Sequence, residues 1–103
     1  MDRILIAGNW KMNKTVQETR EFTSEFIKYQ INEDDEVCIL APFTDLQVLK
    51  DELANTNIKI GAQNCHYEEN GAFTGEISVK MLNEIGVDYC LVGHSERRQY
   101  FGE

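Results

Sequence analysis

The sequence predicts an α/β fold built on parallel strands. Four short apolar runs punctuate the chain at residues 3–7 (RILIA), 37–41 (VCILA), 58–62 (IKIGA) and 89–92 (YCLV). Stretches with helical spacing separate them. The runs lack the apolar–polar alternation of a half-solvated strand, so both faces are expected to be covered, as in sheets joined by helical crossovers. Right-handed crossovers then set the helices on one side of a doubly wound sheet or of a barrel, and periodicity alone leaves both open.

The elements follow in order. The first run ends at Gly8. Thr15 offers an N-cap, and Glu18 three residues on completes a capping box. Val16, Thr19, Phe22, Thr23, Phe26 and Ile27 then recur at helical spacing, with Glu18, Arg20, Glu21, Glu25 and Lys28 on the other face. Residues 32–36 (NEDDE) form an acidic turn, and Pro42 stops the second run. Thr44 and Gln47 read as another capping box, ahead of a stripe of Leu46, Leu49 and Leu53. The third run is the weakest. Residues 77–85 read as a helix with Met81, Leu82 and Ile85 on one face and Gly86 as its stop. The fourth run ends at Gly93. Between the third run and that last helix lies the longest irregular stretch, residues 63–76, with Asn64, Asn70, Gly71 and Gly75. A loop this long in a compact unit usually serves function or acts as an interaction arm.

Composition narrows the classes. The chain has 103 residues, enough for one domain at most, and 42% of them are hydrophobic. No apolar run approaches the roughly 18 residues of a membrane helix, and the first run is too short for a signal-peptide core. Ten basic against eighteen acidic side chains give a net charge of -8. That balance argues against nucleic acid as a partner, since such binding rests on Lys and Arg meeting phosphates. It also requires any anion site to be locally positive. Cys38, Cys65 and Cys90 are odd in number and widely spaced, which suits a reducing, cytoplasmic setting rather than a disulfide framework.

In parallel α/β folds, ligands bind beyond the carboxyl ends of the strands. There the chain carries Gly8-Asn9-Trp10-Lys11, Pro42-Phe43-Thr44, Gln63-Asn64-Cys65-His66 and Gly93-His94-Ser95-Glu96-Arg97-Arg98 in turn. A Lys, an Asn, a His and a Glu gathered on one rim would bind and polarise an oxygen-rich substrate.

These segments resemble the N-terminal part of the triosephosphate isomerases. Ala7-Gly8-Asn9-Trp10-Lys11-Met12-Asn13 is similar to that family's first catalytic segment. Ile60-Gly61-Ala62-Gln63-Asn64 and Gly71-Ala72-Phe73-Thr74-Gly75-Glu76 are similar to its third strand and interface loop. Val92-Gly93-His94-Ser95-Glu96-Arg97-Arg98 is similar to the segment with its catalytic histidine, and the match is collinear. The resemblance implies the N-terminal half of a (β/α)8 barrel. It implies a cytoplasmic homodimer in glycolysis and gluconeogenesis that interconverts D-glyceraldehyde 3-phosphate and dihydroxyacetone phosphate through an enediolate, with no cofactor and no metal.

Roles come with the resemblance. His94 is implied as the electrophile at the substrate oxygens; its place before a helix start favours a neutral ring, and a lone histidine there would read as a cap. Lys11 is implied to neutralise the phosphate and the developing oxyanion, and Asn9 to bind substrate and orient Lys11. Glu96 is implied as an auxiliary in proton movement, and a first-turn helix acid explains it equally well. Trp10 reads as structural. Phe73, Thr74, Glu76 and Arg97 are implied at a dimer interface, Thr74 against Asn9 of the partner subunit and Arg97 against Glu76 of the partner subunit. Adjacent Cys65 and His66 have no second ligand pair at metal spacing and read as no metal site.

A barrel of this kind needs about 250 residues and eight strands. The expectation is therefore a partial barrel domain over residues 1–103. It would lack the C-terminal half with the family's glutamate base, lid and phosphate loops, be inactive by itself, and expose its two outer strands. Two other readings stand beside it: a non-catalytic half-barrel that assembles through its open edges, and a small phosphate-binding α/β domain. The second has no Gly-x-Gly-x-x-Gly or Walker lysine to support it.

Overall fold

The structure, a computed structural model, describes residues 4–29 and 34–103. Its elements run β1 (Ile4–Asn9), α1 (Val16–Phe26), β2 (Asp35–Ala41), a 3-10 turn (Phe43–Asp45), α2 (Leu46–Glu52), β3 (Lys59–Ala62), α3 (Val79–Ile85), β4 (Tyr89–Cys90) and α4 (Ser95–Phe101). The strands form one parallel sheet in sequence order, so all their carboxyl ends lie on one rim.

Strand bounds differ from the sequence reading at both edges of the sheet. Arg3 of the first run lies outside the described residues, and β1 runs on past Gly8, pairing Gly8 with Ile39 and Asn9 with Leu40. β2 takes in Asp35 and Glu36, which pair with Ile4 and Leu5 rather than forming a turn; Asn32 and Glu33 of that turn lie outside the described residues. β4 is two residues long instead of four. Leu91 N–H still donates to the Ala62 carbonyl at 2.9 Å, but no further strand among the described residues pairs beyond it, and Gly93 at φ 63° swings the chain into α4.

The core lies between sheet and helices. Ile39, Ala41, Ile60 and Ala62 of the strands meet Leu46, Leu49, Leu53 and Leu82. Burying one such leucine contributes about 1.5–3 kcal/mol, and Leu46 and Leu49 are wholly buried, so α2 is the helix most firmly seated. The opposite face of β2 is closed too, by Cys38 and Leu40. Gly61 makes their room: a Cβ there would collide with Leu40 Cδ2 and stand 3.2 Å from both Cys38 Sγ and the Tyr89 carbonyl. Burial pushes the Cys38 thiol up to about 11. β1 departs from the expectation of covered faces. Its Ile4, Leu5 and Ile6 are 62%, 49% and 51% exposed, because β1 is an edge strand paired on one side only.

Caps explain most helix starts. Thr15 and Glu18 close the expected capping box, with Glu18 N–H donating to Thr15 Oγ1 at 3.2 Å and Thr15 N–H to Glu18 Oε1 at 3.0 Å. The Thr44–Gln47 box does not form. After Pro42 the chain tightens into the 3-10 turn, Asp45 N–H donating to the Pro42 carbonyl at 3.0 Å. α2 therefore starts after Asp45 without a side-chain cap, and Gln47 donates to Asp51 instead. α3 begins two residues later than expected, with Ser78 as N-cap, since Ile77 and Ser78 stay extended beside His66. Its Met81 is half exposed rather than facing the core. Gly86 ends it at φ 93° as expected.

Three buried polar side chains stand out. Thr19 and Thr23 are buried, and each hydroxyl donates back to the α1 backbone, at Thr15 O (2.8 Å) and Arg20 O (3.0 Å). Asp45 is fully buried, and neither of its carboxyl oxygens has a hydrogen-bond partner. Burial pushes its carboxyl above the ordinary aspartate value. Among the described residues no helix is long and apolar enough to cross a membrane.

Candidate functional site

β1 delivers Asn9 and Lys11 to the carboxyl rim. The chain leaves the strand through a left-handed residue, Lys11 at φ 57°, a conformation that costs a non-glycine residue about 1–2 kcal/mol. Hydrogen bonds hold it there: Lys11 N–H donates to Asn9 Oδ1 at 2.9 Å, and Gln63 Nε2 donates to the Lys11 carbonyl at 2.7 Å. The same Gln63 amide reaches Asn9 Oδ1 at 3.2 Å and the Leu40 carbonyl at 3.3 Å. One side chain at the end of β3 thus ties down the β1 loop. The sequence placed Gln63 on the rim but assigned it no role.

Trp10 turns away from the rim. Its ring packs edge-on to Phe22 at 5.2 Å, with Phe22 stacked on Phe26, so its side chain is structural and pins the loop to α1.

His94 comes from the other edge of the sheet. It is the N-cap of α4, its Nδ1 accepting from the Glu96 N–H at 3.0 Å. That bond assigns Nδ1 as the acceptor of a neutral ring and leaves the hydrogen on Nε2. Glu96 Oε2 stands 3.8 Å from the same Nδ1, beyond hydrogen-bond distance. Its Oε1 instead accepts from Lys11 Nζ at 2.7 Å, a contact spanning 85 positions of sequence. That hydrogen bond, and then the charge of Lys11, hold the Glu96 carboxyl below the ordinary glutamate value. Asn9, Lys11, His94 and Glu96 line one open cleft, with Phe43 and Leu91 as apolar wall. The structure therefore brings together every rim residue singled out for chemistry. The arrangement offers one neutral Nε2–H donor, one ammonium and one amide to an anionic, oxygen-bearing ligand.

Of the residues singled out for an interface, Arg97 also lines this cleft, and the other three lie elsewhere. Phe73 and Thr74 sit exposed on the 63–78 loop. Glu76 faces His66 within this chain, Oε2 to Nδ1 at 3.2 Å. Arg97 is held by Glu103 in a two-pronged pair, Nε to Oε1 at 2.9 Å and Nη2 to Oε2 at 2.6 Å. Its guanidinium also lies 4.7 Å from the Phe101 ring centre. Hydrogen bonding to Glu103 raises the Arg97 pKa, and the same bond lowers that of Glu103. No cluster of three or more His, Cys, Asp or Glu is placed to hold a metal among the described residues.

Comparison with known proteins bears on this geometry. The family model for triosephosphate isomerase matches residues 4–103. The triosephosphate isomerase of Aquifex aeolicus is 58% identical over 102 residues, 98% of this chain and 41% of that protein. That of Alkaliphilus metalliredigens is 58% identical over 103 residues, all of this chain and 42% of the relative. The Finegoldia magna protein of the same name is 53% identical over 103 residues. The chain thus spans about two-fifths of the length of these relatives. Its four parallel strands and their helices have the architecture of the N-terminal half of a (β/α)8 barrel, and the chain belongs to the triosephosphate isomerase family.

Proposed function

We propose that the whole protein interconverts D-glyceraldehyde 3-phosphate and dihydroxyacetone phosphate, as a cytoplasmic homodimer without cofactor or metal. One observation carries the reading: Lys11 and Glu96, from opposite edges of the sheet, meet at 2.7 Å beside Asn9 and the Nε2–H form of His94. Isomerisation removes a proton from the carbon next to a carbonyl and returns one to the neighbouring carbon. The barrier lies in the enediolate between, whose charge sits on oxygen. A neutral imidazole donates one hydrogen bond from Nε2 to either substrate oxygen and exchanges that proton with the enediolate as the double bond moves. The Lys11 ammonium at about 4 Å from an anionic oxygen contributes about 4 kcal/mol at a surface-like dielectric, offsetting a net charge of -8. Asn9 fixes the Lys11 backbone through its Oδ1, so the charge is in place before substrate arrives. Glu96 holds the ammonium over the cleft until a phosphate takes it.

The carboxylate base and the phosphate loops that this chemistry also needs belong, in the family, to the C-terminal half of the barrel. Residues 1–103 are then a partial domain, inactive by themselves. The half-exposed side chains of Ile4, Leu5 and Ile6 favour a second property for that piece alone, association through its open edge.

The test is a chimera in which this chain replaces the matching N-terminal 41% of the Aquifex aeolicus protein. The expected outcome is isomerase turnover by the chimera and none by residues 1–103. Lys11→Ala and His94→Gln should each lower the chimera's rate by about 10²–10³ without unfolding it. A folded chimera with no turnover, or near-unaltered rates for both variants, refutes the reading.

A further inference from the structure

We propose that Lys14 is a positioning residue for Lys11: its ammonium lies over the Trp10 and Phe22 rings and so holds a left-handed turn that closes the far end of the β1 loop. The inference rests on the isomerase reading above and names what fixes Lys11 from outside the rim. The loop over residues 10–14 contains two left-handed residues, Lys11 at φ 57° and Lys14 at φ 81°. Neither is glycine, so each conformation is disfavoured and persists only where contacts hold it. At Lys11 those contacts are hydrogen bonds from Asn9 and Gln63. Lys14 has a different set. Its Nζ stands 5.8 Å from the centre of the Trp10 ring and 5.9 Å from that of Phe22, inside the roughly 6 Å over which a ring face attracts a cation. The two rings meet edge-on at 5.2 Å, so one ammonium joins the loop's own Trp10 to helix α1. The Glu18 carboxylate lining the same recess is engaged with the Thr15 N–H at 3.0 Å.

The turn at Lys14 in turn places Asn13. Its Nδ2 donates to the Trp10 carbonyl at 2.8 Å, while the Trp10 N–H donates to the Leu40 carbonyl at 2.9 Å. Trp10 is thereby held at both its N–H and its C=O, and Lys11 follows it directly. From there the Lys11 ammonium reaches Glu96 Oε1 at 2.7 Å. When the backbone at Lys14 relaxes to an ordinary conformation, Asn13 swings away from Trp10 and the loop loses its outer anchor. Gln63 then holds Lys11 from the inner side only. The ammonium leaves its place beside Glu96, which is also its place beside an anionic ligand. Glu96 reports that displacement, because the hydrogen bond from Lys11 is what chiefly holds its carboxyl below the ordinary 4.5.

The experiment uses the chimera described above, with kcat/KM and the Glu96 titration midpoint, read by carbon NMR, measured for each variant. Lys14→Gln keeps a polar side chain but loses the charge. It should lower kcat/KM by about tenfold, part of the 10²-fold that a misplacement of about 1 Å costs, and raise the Glu96 midpoint toward 4.5. Lys14→Arg returns a cation to the rings and should match the unaltered protein within about twofold. Lys14→Gly adopts φ 81° without strain and should fall between the two in both readouts. A Glu96 midpoint that stays put in Lys14→Gln overturns the proposal, whatever the rate does. So does an arginine variant as impaired as the glutamine one. A glycine variant at least as impaired as the glutamine one overturns it too, since the charge rather than the turn would then be what matters. A folded, unaltered chimera without turnover refutes instead the isomerase reading, and the Glu96 midpoints still decide whether Lys14 places Lys11.

Discussion

Gln63→Ala removes one amide whose Nε2 donates to three oxygens on two other strands or their loops. The loss of stability should be small. Asn9 Oδ1 keeps the Lys11 N–H, and the Leu40 carbonyl keeps the Trp10 N–H at 2.9 Å. Only the Lys11 carbonyl loses its donor, and that bond is exposed to water. A net cost of about 1–2 kcal/mol follows from the usual worth of such bonds. The loss of function should be larger. The left-handed backbone at Lys11 is a strained state held by few contacts, and without Gln63 it has a route back to an ordinary conformation. The ammonium would then drift from the cleft, and a misplacement of about 1 Å costs on the order of 10²-fold in rate. The assay pairs kcat/KM of the chimera with its urea midpoint. A drop in kcat/KM of under threefold, or a stability loss above about 4 kcal/mol, would show that Gln63 packs the rim rather than positioning Lys11.

Other expectations follow from single contacts. The Glu96 carboxyl is depressed below its ordinary 4.5, so the Lys11–Glu96 pair contributes fully above that value and is lost as pH falls through the depressed one; a carbon NMR titration with a Glu96 midpoint at or above 4.5 contradicts this. Gly61→Ala forces a methyl against Leu40 and should destabilise by about 1–3 kcal/mol in chemical denaturation of the chimera; an unchanged midpoint would mean that Leu40 swings aside freely. Residues 1–103 alone should scatter light as a species larger than its 11.9 kDa monomer, and a monodisperse monomer with slowly exchanging β1 amides would rule out the edge argument.

Local chemistry was readable from the sequence wherever one short segment decides the outcome. The Thr15–Glu18 box needs only four consecutive residues, and it forms; Gly86 needs only its own backbone freedom, and it ends α3. The Thr44–Gln47 pattern has the same spacing but fails, because Pro42 and the burial of Leu46 and Leu49 fix the turn first. The rim residues were legible for a different reason: a parallel sheet sends every strand's end to one side, so four short segments far apart in sequence had to become neighbours. Partnerships across that rim were not. Gln63 chooses among acceptors that β1, β2 and β3 bring within reach only once paired, and Glu103 reaches Arg97 only after α4 has turned twice. The exposed flank of β1 also escapes pattern reading, since apolar composition states what a strand would bury and not whether a neighbour exists to bury it against.

Asp45 has a consequence for how the fold answers acid. Glu18, Glu96 and Glu103 all sit below their ordinary values, so folding makes each of them shed protons, and acidification works against the native state. Asp45 does the reverse. Its raised value means the folded chain takes up a proton that the unfolded chain would release, in the window above the ordinary 3.8. Its contribution is present below that value and is lost as pH climbs through the raised one. A buried carboxyl with no partner is thus a counterweight to the surface pairs: as they weaken toward acid, it strengthens. As pH falls from the ordinary glutamate value of 4.5 the three glutamates work against the native state, while the raised Asp45 works for it until the pH passes its ordinary 3.8.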